Sequence, residues 1–157
     1  MMRRLSFCLH FTALIGCVAA WPTAASQDAC PPSPSPFQTH VDMKTFMEHV
    51  LTPAAKVIWR TNGILIDAFG EHDLSPRSDA DWEEIVSGAA TLAEATNALN
   101  IPQRALDEKW SLYVGRLAEA ASQAYQAAEA HDLKTVASVS DHLDGICAAC
   151  HRHYGLE

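Results

Sequence analysis

Residues 132–155 read DLKTVASVSDHLDGICAACHRHYG. Asp132 is a good N-cap, and Leu133, Val136, Leu143, Ile146 and Cys147 recur at helical spacing as far as about His153. Gly155 supplies the stop. This last helix sets the pattern for the rest of the chain. Upstream, residues 104–130 carry Leu106, Trp110, Tyr113, Leu117, Ala121, Ala124 and Ala128, a stripe whose alanines allow close approach of neighbours. A second stripe, Trp82, Ile85, Ala89, Leu92, Thr96 and Leu99, follows Asp81 as the expected N-cap and ends before Pro102. The first stretch, residues 41–59, carries Met43, Phe46, Met47, Val50, Ala54, Val57 and Ile58. Pro53 inside it predicts a kink in a continuous helix, since the stripe keeps its phase; the other reading starts a new helix with Thr52 as cap. No strand run stands out, and residues 70–78 read as a polar loop.

Four helices of about twenty residues, each ~30 Å long and joined mostly by short loops, predict an all-α fold, an antiparallel four-helix bundle. Composition agrees, because 48% of the 157 residues are apolar while only 8% are aromatic. That mix favours packed helices over a sheet. There is no internal repeat.

The first residues read as targeting, not fold. Met1 to Arg4 is basic, Leu5 to Trp21 is largely apolar, and small residues follow, so 1–26 is expected to be an export signal. The alternative is a lipoprotein signal over 1–16, since Leu14-Ile15-Gly16-Cys17 resembles a lipobox, with Cys17 lipidated. Residues 27–39 form a proline-rich linker, with four prolines within residues 31–36, and 40–157 the helical domain. Cys30 in the linker has no assigned role. A bacterial periplasmic location follows, soluble or lipid-anchored. Loss of Arg3 and Arg4 with the signal takes the formal charge from −8 to about −10. Such a chain is a poor partner for nucleic acid or anionic lipid, and would be steered toward basic protein surfaces.

Cys147, Cys150 and His151 fall three and four residues apart, so they share one face of the last helix. The spacing is what covalent haem attachment needs: two thiols reach two vinyl groups, and the adjacent imidazole reaches iron. One haem c is therefore the expected cofactor. A thioredoxin-like pair would want a strand before the helix. A zinc site lacks a second pair of ligands, and a Cys147–Cys150 disulfide would close only one turn. No Ser/His/Asp set or paired carboxylates suggest an enzyme, and Glu83-Glu84 suits the start of a helix dipole.

With Cys-x-x-Cys-His on the last of four helices and Tyr154 three residues on, the chain over about residues 40–155 resembles the class II c-type cytochromes. These are the cytochromes c prime and their low-spin relatives. Relatives often carry a basic residue after that tyrosine, where this chain has Gly155. The resemblance implies a methionine of the first helix as sixth iron ligand: Met47, with Met43 as the alternative. His40 and His49 are expected to face solvent. It implies a one-electron carrier cycling Fe(III) and Fe(II) between redox partner proteins. The alternatives are a five-coordinate protein binding nitric oxide or carbon monoxide, and a haem subunit of an envelope complex. Many relatives form homodimers through bundle faces. Trp59, Trp82, Trp110 and Tyr154 read as core-facing, some of them walling the haem.

Overall fold

A computed structural model describes residues 36–156. The segment expected to be an export signal, Cys17, Cys30 and most of the expected linker lie outside the described residues. From Pro36 to Val41 the backbone has no regular repeat.

Helix begins with α1 (Met43–Phe46), capped by Asp42, whose carboxylate accepts from the Thr45 amide at 2.7 Å. A π-helical turn over Met47–Leu51 follows, and α2 (Thr52–Trp59) continues the same helical path. The π turn is how the chain accommodates Pro53. A proline has no N–H and its ring presses on the carbonyl four residues back, here that of His49. Widening the turn just ahead of it, with the Thr52 amide reaching back to the Met47 carbonyl, relieves that contact. Thr52 has helical φ and ψ and is no cap, so the accommodation is a π turn where the sequence predicted a kink.

A short 3-10 turn (Arg60–Asn62) leads into a feature the sequence reading missed. Strands β1 (Ile64–Asp67) and β2 (Gly70–Asp73) form an antiparallel hairpin with Ile64 opposite Asp73. All eight residues are exposed, so neither strand has a buried face that could give an alternating pattern. Next, α3 (Asp79–Leu99) is capped by Ser78, not Asp81. Ser78 accepts from the Asp81 amide while the Asp81 carboxylate accepts from the Ser78 amide, a reciprocal capping box. Helix α4 (Glu108–Glu129) starts four residues later than expected, behind Asp107, and leaves Leu106 outside the core at 63% exposed. Helix α5 (Leu133–Tyr154) runs as expected from Asp132 to a left-handed Gly155. His131, in the turn before it, also has positive φ and stacks on Trp82 at 4.8 Å.

The described part of the chain is thus all-α, with four long helical stretches and one small hairpin. Helix α2 packs on α3 and α5, α3 on α4, and α4 on α5. Ile58, Leu92, Val136 and Leu143 are fully enclosed between them. Small residues set the spacing: Ala89, Ala121, Ala124 and Ala128 have no exposed surface. Gly88 lies so close to α2 that an added Cβ would meet the Val57 Cβ at 2.9 Å and the Ala54 carbonyl at 3.0 Å. Among the described residues no helix is long and apolar enough to cross a membrane.

Candidate functional site

One end of this helical assembly holds a cavity of about 100 Å³. Helix α5 contributes Ile146, Cys147, Cys150 and His151, which its 3.6-residue period aligns on one face. Facing them from the π turn and α2 are Met47, Leu51, Ala55 and Trp59. Leu92 and Leu99 of α3 and Trp110, Tyr113, Val114 and Leu117 of α4 complete the walls. The lining is almost wholly apolar.

The fold therefore brings together Met47, Cys147, Cys150 and His151, residues separated by a hundred positions in sequence. Met43 lies elsewhere. It borders a neighbouring open groove between the start of α1, the α3–α4 loop and the end of α5, and does not line the cavity. Met47 and His151 border both spaces. His40 and His49 are exposed and line neither. Of the four expected core aromatics, Trp82 and Trp110 are buried, while Trp59 and Tyr154 are half-buried. Trp59 and Trp110 wall the cavity, Tyr154 borders the groove, and Trp82 stacks on His131 away from both.

Both thiols are free. Burial, reinforced by the Asp144 carboxylate and by Cys150, pushes the Cys147 thiol up to about 11. Burial raises Cys150 as well. A redox-active pair is shifted the opposite way, toward thiolate at neutral pH. Nor do the described residues include a cluster of three or more His, Cys, Asp or Glu able to hold a metal ion. A protein-only zinc site would draw its ligands from such a cluster. A haem iron has no such need, because the porphyrin supplies its four equatorial nitrogens.

The residues present fit such a group on two further counts. The cavity wall is mainly apolar, with Cys147, Cys150 and His151 along its α5 side. Trp59, on that wall, also carries a buried Nε1 with no hydrogen-bond partner among the described residues. Trp110, by contrast, is fixed: its Nε1 donates to the Leu99 carbonyl at 2.8 Å, and its ring meets Tyr154 edge-on at 5.5 Å. Tyr154 in turn donates to the Asp107 carboxylate at 2.7 Å. The N-cap of α4 is thereby tied to the last turn of α5, beside His151.

Sequence reading named Cys147, Cys150, His151 and Met47, all of which line this cavity. It did not single out Leu51 or Ala55, which line the same wall. Compared with family models, with curated proteins and with solved structures, the chain matches none of them.

Proposed function

We propose that the chain is an exported one-electron carrier, a monohaem c-type cytochrome built as an antiparallel four-helix bundle of the class II kind. The observation that carries this reading is the cavity itself, which collects Cys147, Cys150 and His151 on one side and Met47 on the other. The closed ring of helix contacts, α2–α3–α4–α5–α2, supports the bundle.

On this reading, Cys147 and Cys150 would hold haem c as thioethers, and His151 and Met47 would ligate the iron. The haem supplies reversible Fe(III)/Fe(II) cycling. The protein's part is to orient and shield. Leu51, Leu92, Val114 and Leu117 keep water from the cavity, and Trp110, locked to Leu99, keeps one wall rigid. A neutral thioether paired with an imidazole would favour the ferrous state relative to two imidazoles. The acidic surface steers basic redox partners toward the molecule.

The test is the absorption spectrum of the haem-loaded protein in both oxidation states. The expected result is a low-spin spectrum in each state, no rapid carbon monoxide uptake by the reduced protein, and loss of the low-spin ferric form in Met47→Ala. Met43→Ala should keep the wild-type spectrum. An unchanged spectrum in Met47→Ala would sink the ligand assignment. Rapid stoichiometric carbon monoxide binding by the wild type would replace electron transfer with gas binding.

A further inference from the structure

Arg104 is 9% exposed, the most deeply buried cation among the described residues, and it borders the groove beside the cavity. Its contacts are all neutral. Nη1 donates to the Ala98 carbonyl at 3.3 Å, Nη2 donates to the Val41 carbonyl at 3.1 Å, and the guanidinium lies 4.2 Å over the Phe46 ring. No carboxylate of the described residues lies within 4.0 Å of it. The acids that share the groove are engaged elsewhere: Asp42 caps α1 through Thr45, and Glu48 pairs with Lys44 at 3.4 Å. A guanidinium has five N–H donors, and two are used among the described residues. Burying a charge without a counter-ion is unfavourable, and the planar fork of arginine matches a carboxylate.

The two spaces differ in what they offer. Cys147 and Cys150 line the cavity and not the groove; Arg104 lines the groove and not the cavity; His151 and Met47 border both. In haem c the carbons that form thioethers and the propionates occupy opposite edges of the macrocycle. We infer that Arg104 is the counter-ion of a haem propionate, seated in the groove across His151 from the thioether side. This rests on the cytochrome reading above and adds a residue that the Cys-x-x-Cys-His motif does not contain. By neutralising a propionate beside the iron, Arg104 favours the ferrous state and raises the midpoint potential.

The experiment uses haem-loaded wild type, Arg104→Met and Arg104→Lys, with potentiometric titration and the propionate bending band in the resonance Raman spectrum. Arg104→Met should retain the Met/His spectrum while its ferric/ferrous equilibrium moves at least tenfold toward ferric, 59 mV for one electron. Its propionate band should shift as well. Arg104→Lys keeps the charge and loses the fork, so the band should shift while the midpoint moves by less than tenfold. If Arg104→Met does not fold, the Lys variant alone decides, since its band would stay unchanged were Arg104 merely structural. Haem uptake with unmoved band and midpoint in the variants overturns the assignment by itself. A wild-type chain with intact Cys147 and Cys150 that takes up no haem overturns the cytochrome reading first.

Discussion

Tyr154 shows how much one side chain near the chain's end is asked to hold. Its hydroxyl donates to Asp107, its ring meets Trp110, and Tyr113 and His153 flank it. Partial burial, with the Asp107 hydrogen bond, pushes the Tyr154 hydroxyl up to about 12 from an ordinary value near 10. Asp107 shows the reverse. The Tyr154 hydroxyl, followed by the Trp110 amide, holds its carboxyl below the usual range. The folded protein therefore keeps the tyrosine proton where the unfolded chain has released it. The stability from this bond is fully present below about pH 10 and is lost as pH rises toward 12. The stability from ionised Asp107 is present above the ordinary carboxylate range and is lost on acidification. Denaturation of wild type and Tyr154→Phe across pH 8–12 should show a stability difference that shrinks through the upper half of that range; a constant difference would contradict the coupling. Residues of this kind divide cleanly by legibility. Tyr154 could be placed from its distance to the Cys-x-x-Cys-His segment. Arg104 could not, because its burial comes from the approach of Val41 and Phe46, sixty residues away, and no local pattern records that.

At the scale of elements, the glycines separate packing from propensity. Gly88 sits where α3 touches α2, and an alanine there would press on Val57 and the Ala54 carbonyl. Gly88→Ala should destabilise by ~1–3 kcal/mol from overpacking, less the ~1 kcal/mol that alanine gains in a helix. Gly145 in α5 has nothing within 4 Å of an added Cβ. Gly145→Ala should therefore stabilise by ~0.5–1 kcal/mol. Chemical denaturation of the two variants should give shifts of opposite sign. Ser78→Ala, which removes one arm of the capping box of α3, should cost ~1 kcal/mol by the same measurement. Helix existence was readable throughout because the stripes at Trp82–Leu99 and Trp110–Ala128 are long. The starts were less so. Asp81 and Ser78 are both good caps three residues apart, and only the pair of reciprocal hydrogen bonds decides which leads. The π turn was hidden for a related reason. Apolar residues at Phe46, Met47, Val50 and Leu51 suit an α-helix and a π turn alike, and the choice between them falls to Pro53 further on.

For the molecule as a whole, the core and the hairpin stand at opposite ends of the stability range. Leu143 is fully buried between helices, and Leu143→Ala should cost ~2–5 kcal/mol, read from denaturation of the same protein. Every residue of both strands is exposed, with Ile66 at 76%, and Phe69 in the turn is 90% exposed. Replacing Ile64–Asp73 by a two-residue turn should leave far-ultraviolet dichroism and the denaturation midpoint close to wild type; a large loss would mean the strands support the helices. The all-α class was legible because helical periodicity fills most of residues 41–155, and the hairpin was not because exposed strands carry no inside and outside. One detail at its base has a practical meaning. The Leu74 amide donates to the Gly63 carbonyl at 3.0 Å, so the chain leaves the helical body and returns to it at neighbouring points. Whatever is spliced in between, a peptide epitope, a surface-binding tag or a small guest domain, is carried on a closed neck, and the order and connection of the helices around Met47 and His151 stay as they are.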